Sequence, residues 1–273
     1  MTEGGFSFEN CRRNALLEKQ GYVAPRAFKT GTTICGVVVK DAVILGADTR
    51  STAGSIVADK VCEKTHYIAP HIRAVGAGTA ADLQMVTRMV ESNMNLLKMQ
   101  MNRQVPVVAC IRMLKQYLFQ YQGYVGAYLI VGGIDSTGPQ LYSVSAHGNS
   151  DKTPFLAMGS GSISAMSILE SRWKPDLTAE EGMKLVRDAI ASGIFNDLGS
   201  GSNVDLWVIT KEGEKYHQPY DEANKKGTRE NKYLYKAGTT AVLKSKVIPY
   251  EIVAEEVKHM ETRNSKHVWK INM

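Results

Sequence analysis

The stretch from Gly31 to Arg50 constrains this chain more than any other. Thr32-Thr33-Ile34-Cys35-Gly36-Val37-Val38-Val39, the pair Lys40-Asp41, and Ala42 through Ala47 read as two strands joined by a tight turn. β-Branched residues dominate both runs and turn formers break them. Such a hairpin places Thr32, at its start, near Asp48, at its end. A third strand around Ser55 to Asp59 leads to Lys64, a lysine just before another apolar stretch. Thr32 is also a chemical candidate. If the chain is cut after Gly31, the freed α-amine of Thr32 sits beside its own hydroxyl. An α-amine titrates near about 7.7–8.0, so its neutral fraction can take the hydroxyl proton around pH 7, which a lysine near about 10.4 does not do unaided. A cation at Lys64 would favour the neutral amine, and Asp48 could keep that cation charged.

Further segments extend the pattern: Lys29-Thr30-Gly31-Thr32-Thr33-Ile34, Gly46-Ala47-Asp48-Thr49-Arg50, Asp59-Lys60, Lys64, and Gly76-Ala77-Gly78-Thr79-Ala80-Ala81-Asp82. Gly159-Ser160-Gly161-Ser162 and Asn196 through Asp205 follow. In this order they resemble the eukaryotic 20S proteasome β subunits, most closely the trypsin-like β2 (type 7) class. The resemblance covers nearly the whole chain, including the leader Gly4 to Cys11 and the tail element Gly238 to Leu243.

The resemblance implies an α+β fold, the four-layer α-β-β-α sandwich of N-terminal nucleophile hydrolases. It implies a propeptide over residues 1–31, removed between Gly31 and Thr32, a hydrolase domain over 32–221, and a C-terminal arm over 222–273 wrapping a neighbouring subunit. It assigns Thr32 as nucleophile, Asp48 and Lys64 as its electrostatic support, and the Gly78 amide to the oxyanion hole. Ser160, Asp197 and Ser200 would hold the Thr32 amine in place. Cys62, His66, Gly76, Asp82 and Gln84 would surround the substrate side chain that precedes the scissile bond. The implied partners are other β subunits in a seven-membered ring, α-ring subunits and unfolded polypeptides, in the cytoplasm and nucleus. No metal or organic cofactor is implied, nor nucleic acid or membrane.

One departure bears on specificity. The acidic residue usual two positions after Asp82 is here Gln84. A neutral amide removes the charge-assisted contact to Lys or Arg. The expectation is a retained but weakened preference for basic residues, with Asp82 compensating at longer range. Gly46, Gly133 and Gly193 read as packing or turn glycines, and Arg50 as a structural anchor.

Composition agrees without pointing to any of this. At 273 residues and 44% hydrophobic content, the chain can bury one sizeable core or two small ones. No apolar run reaches the roughly 18 residues of a membrane span, and no secretory h-region opens the sequence, so a soluble intracellular protein is expected. Four cysteines without C-x-x-C spacing and six scattered histidines indicate neither zinc nor a disulfide framework. The net charge of +6 comes without an RNA-binding or helix-turn-helix motif, and the lysine-rich stretch after Lys211 reads as a solvated arm.

Amphipathic helices are expected from Thr79 to about Met101, from Pro106 through Tyr121, from about Ser162 to Trp173, and after the capping-box sequence Thr178-Ala179-Glu180-Glu181. Strands are expected over Ala127 to Ile134, Leu141 to Ala146 and Val204 to Thr210. The leader shows no sustained periodicity. Gly76 to Ala81 also matches a G-x-G-x-x-A dinucleotide fingerprint, but no second strand with an acidic end follows its helix, so an oxidoreductase is a distant reading. A second Gly-Thr-Thr at Gly238 to Thr240 has no comparable aspartate or lysine downstream and reads as structural. The main alternative from another class is a non-catalytic ring subunit that keeps its leader.

Overall fold

A computed structural model of the chain describes residues 8–22, 30–230, 236–239 and 241–255. The expected hairpin is its centre. Strands β1 (Ile34–Val38) and β2 (Ala42–Asp48) pair antiparallel with Ile34 opposite Ala47. All of β2 is buried, which is why its sequence is a continuous apolar run and not an alternation.

On its other edge β2 pairs with β11 (Val204–Thr210), Ala47 facing Asp205. Strands β10 (Phe155–Met158) and β12 (Glu214–Asp221) complete a sheet ordered β10-β1-β2-β11-β12. The second sheet runs in chain order through β5 (Thr65–Ala69), β6 (Ile72–Gly78), β7 (Ala127–Asp135), β8 (Gly138–Val144) and β9 (Ser150–Lys152). The strand expected near residues 55–59 is β4 (Ile56–Asp59); it pairs only with β3 (Ser51–Ala53), in an exposed ribbon outside both sheets.

Helices α2 (Ala80–Met101) and α3 (Val107–Gln120) cover the second sheet, and α4 (Ser162–Arg172) and α5 (Ala179–Asn196) cover the first. The apolar stripe of α2, Leu83, Val86, Val90 and Met94, packs on Ile68, Ile72 and Leu129. Leu185, Val186, Ala189 and Ile190 of α5 pack on Cys35, Val37 and Ile44. Between the sheets, Val43 and Leu45 meet Val75 and Ile130. The result is an α+β arrangement of two facing antiparallel sheets flanked by helices.

Local signals act where they were read, with three adjustments. Thr178 Oγ1 accepts from Glu181 N–H, and the Glu181 carboxylate accepts from Thr178 N–H, closing the capping box. Pro106 sits one position earlier than expected, as the extended residue before α3, and Asp135 Oδ2 accepts the Val107 N–H at 3.0 Å. A further strand, polar β12, follows Val204 to Thr210 where none was expected. An edge strand with one solvated side tolerates charges and Pro219, so it carries no apolar signature. In the segment before Thr32, where no periodicity was expected, α1 (Glu9–Lys19) is exposed at every described side chain.

The chain divides into a unit of Met1–Lys226 and a second of Gly227–Met273. The described part of the second has a turn in which Thr239 N–H bonds Lys236 C=O, and no helix or strand. Its Leu243, Val247, Tyr250 and Val253 are exposed. Thr240 of the second Gly-Thr-Thr, residues 1–7 and 23–29 of the expected propeptide, and 231–235 and 256–273 of the expected arm lie outside the described residues.

Candidate active site

Thr32 enters β1 at the edge of the inter-sheet core. Its N–H donates to Ser160 Oγ at 3.0 Å, and its Oγ1 donates to the Gly31 carbonyl at 2.7 Å. Lys64, just before β5, reaches across from the other sheet. Its Nζ lies 3.2 Å from Thr32 Oγ1, 3.4 Å from the Gly31 oxygen and 2.7 Å from Asp48 Oδ1. Asp48 is fully buried at the end of β2. Beyond Lys64 it accepts from three backbone N–H groups, those of Thr33, Arg50 and Gly201, at 2.9, 3.2 and 3.1 Å. These contacts hold the Asp48 carboxyl in place, and its bond to Lys64 fixes where Nζ points.

A second carboxylate lies across Thr32. Asp197, at the end of α5, accepts from Ser160 Oγ at 2.5 Å, from Ser200 Oγ at 2.6 Å and from Gly199 N–H at 3.1 Å. Burial opposes its ionisation, but these hydrogen bonds and the Lys64 charge outweigh it and hold the carboxyl below its ordinary value. Ser200 Oγ is also 2.7 Å from Thr33 Oγ1, so the loop after α5 grips the residue next to Thr32.

A cavity of about 490 Å³ opens beside Thr32. Gly76, Leu83 and Gln84 line it, with Cys62 and His66 on the β5 side and Gly78 near Thr32. A Cβ on Gly76 would come within 2.7 Å of Leu83 Cδ2, so the missing side chain lets Leu83 pack close against β6 in this wall. Gly78 is held at φ +125° with its α-carbon against the Gly126 carbonyl, a conformation and a clearance open only to glycine. Burial lowers the His66 pKa against the opposing charge of Glu63, and burial raises that of the Cys62 thiol. Asp82 does not reach the cavity: two residues before Gln84 it points to another side of α2, where its Oδ2 accepts the Gly126 N–H at 2.9 Å.

The structure thus gathers Thr32, Asp48, Lys64, Ser160, Asp197 and Ser200 into one hydrogen-bonded cluster, and Gly78, Cys62, His66, Gly76 and Gln84 around the adjoining cavity. Arg50 anchors the same corner, donating to the Leu198 carbonyl at 3.0 Å. Sequence reasoning missed Thr33 and Gly201, which act through backbone N–H groups that any residue carries. It also missed Arg88 and Glu91, further along α2 in the cavity wall, which helical spacing from Gln84 could have signalled.

Two facing sheets with a threonine at the head of an inner strand, and a lysine–aspartate pair at its hydroxyl, define the N-terminal nucleophile hydrolase fold. The chain belongs to the proteasome subunit family: residues 28–209 match the model described as proteasome subunit, and 223–257 match that for the C terminus of proteasome beta subunits. It is 52% identical over 251 residues to the probable proteasome subunit beta type-2 of Schizosaccharomyces pombe, covering 92% of this chain and 94% of that one. It is 49% identical to proteasome subunit beta type-7 of Dictyostelium discoideum, covering 94% and 97% of the two chains. Identity to proteasome subunit beta type-10 of Bos taurus is 52%, over 94% and 96%.

Proposed function

We propose that this chain is a catalytic β subunit of the 20S proteasome core, a threonine endopeptidase of the trypsin-like type 7 class with Thr32 as its N-terminal nucleophile. The observation that carries the reading is Lys64 Nζ, poised between Thr32 Oγ1 and the buried Asp48 carboxylate. Cleavage after Gly31 frees the Thr32 amine, whose nitrogen already contacts Ser160. The Lys64 charge favours the neutral amine, which takes the Oγ1 proton directly or through water as the oxygen attacks the substrate carbonyl. The Gly78 N–H, on the cavity edge beside Thr32, receives the oxyanion. The Thr32 ammonium returns its proton to the leaving peptide nitrogen as the C–N bond breaks, which leaves an ester on Thr32 Oγ1, and water hydrolyses that ester to free the acid and restore the hydroxyl.

The finer reading takes the fold as the four-layer α-β-β-α sandwich, residues 1–31 as a propeptide, 32–221 as the hydrolase domain and 222–273 as an arm on a neighbouring subunit. The chain works in a seven-membered β ring stacked on an α ring, in cytoplasm and nucleus, on unfolded polypeptides. Intact-mass measurement of the chain from assembled particles should give a species beginning at Thr32. A full-length chain in active particles would support the ring-scaffold reading instead.

A further inference from the structure

We propose that Glu91 supplies the negative charge that receives a basic substrate side chain in the Thr32 cavity, the charge that Gln84 does not carry. This rests on the catalytic reading above. Gln84, Arg88 and Glu91 stand at spacings of four and three on α2 and share one helix face, which forms a wall of the cavity. Glu91 lies about 10 Å further along the helix axis than Gln84.

Apart from Arg88, the other charged groups in the cavity lining have partners elsewhere. Lys64 is bound to Asp48, and Arg50 to the Leu198 carbonyl. Glu63, the other carboxylate of the lining among the described residues, accepts the Thr65 Oγ1–H at 2.8 Å. The two-residue period of extended chain sets Glu63, Thr65 and Tyr67 on one side of the backbone, and Cys62, Lys64 and His66 on the other. Tyr67 on that opposite side lies under the Arg73 guanidinium, away from α2. Asp82 is held by Gly126.

Glu91 is different: it is half-buried in the wall and makes no hydrogen bond or ion pair among the described residues. A carboxylate in the cavity wall that accepts from no protein donor has its oxygens open to an incoming guanidinium or ammonium. Arg88, one turn nearer Gln84, is exposed and makes no ion pair among the described residues. Its charge opposes a basic ligand, which fits a weakened preference. A charge set deep along the wall favours the longer basic side chains.

The test uses core particles assembled with variant chains, the other active subunits inhibited, and matched peptides with leucine, ornithine, lysine, arginine or homoarginine before the scissile bond. Wild type should prefer arginine and homoarginine over ornithine. Glu91→Gln should lower kcat/KM for arginine relative to leucine by about tenfold or more and flatten the length series. Arg88→Ala should move the arginine-to-leucine ratio the other way. Gln84→Glu in the Glu91→Gln background should restore basic preference while shifting it to shorter side chains. An arginine-to-leucine ratio unmoved by Glu91→Gln would overturn the proposal, as would an equal loss for both substrates. Cleavage of the leucine peptide that survives Thr32→Ala would overturn the catalytic assignment, and that result is separate from the ratio.

Discussion

Gly31 and Gly199 meet backbone to backbone: a Cβ on either would overlap the main chain of the other. The contact seats the residue before Thr32 against the loop that carries Asp197 and Ser200. It thereby sets the Gly31 carbonyl between Thr32 Oγ1 and Lys64 Nζ. Gly199→Ala should displace the Gly31–Thr32 peptide and slow removal of the leader, while the sheets, which do not use this contact, still form. Pulse-labelled precursor followed to the mature mass measures this; wild-type kinetics in the variant would show that the contact is incidental.

Lys64→Ala should reduce activity about 10²-fold or more, because the amine loses the cation that keeps it neutral and the proton transfer loses its alignment. Lys64→Arg should restore the ion pair with Asp48 but not the geometry at Thr32 Oγ1, since a guanidinium is planar and larger. Peptide hydrolysis with the other active subunits inhibited distinguishes the two. Thr32→Ala should abolish both turnover and self-processing. Substantial activity in Lys64→Ala would remove lysine from the mechanism.

Ser160→Ala should leave Asp197 without one of its donors and the Thr32 nitrogen without its acceptor. A fall in kcat with little change in KM is expected, since the loss is one of orientation. An effect confined to KM would place Ser160 in substrate binding.

Asp205 lies under the site on β11, and its carboxyl pKa is raised to about 6 from an ordinary value of 3.8. Burial is the main cause, helped by the negative charges of Glu63 and Asp48 and opposed by the hydrogen bond from Tyr216. A folded-state pKa above the unfolded one means the native protein holds this proton more tightly. Its contribution is therefore present below about pH 4 and lost as pH rises through about 6. Asp205→Asn should be more stable than wild type at pH 7, by roughly 2 kcal/mol, with the difference vanishing near pH 4. Urea unfolding followed by tryptophan emission measures it. A difference independent of pH would mean that Asp205 does not titrate in this range.

Removing residues 222–273 should block incorporation into particles more than it harms folding of Thr32 to Lys211. The buried residues of these cores all lie within Thr32 to Lys211, with Ala223 only a partly buried contact at their edge, whereas Leu243, Val247, Tyr250 and Val253 are exposed in this chain. Native gels of particles formed with the truncated chain supply the readout, and normal assembly would contradict it.

The sequence by itself determined the hairpin of Thr32 to Asp48, the stripes of α2 and α3, and the capping box at Thr178. Each is a local signal, in which neighbours a few residues apart fix the conformation. It also named Thr32, Asp48 and Lys64, since their residue types suit one chemistry. Tertiary structure decided what spacing along the chain cannot express. It brought Ser160 to the Thr32 nitrogen and Asp197 to Ser160, turned Asp82 away to Gly126, and aimed the Gly201 and Thr33 amides at Asp48. It made a strand of polar Glu214–Asp221, because an edge strand needs a hydrogen-bonding neighbour more than an apolar pattern. Backbone donors look alike in every residue, and close approaches such as Gly31 to Gly199 join segments far apart in the chain. Such contacts take form only once the two sheets have packed.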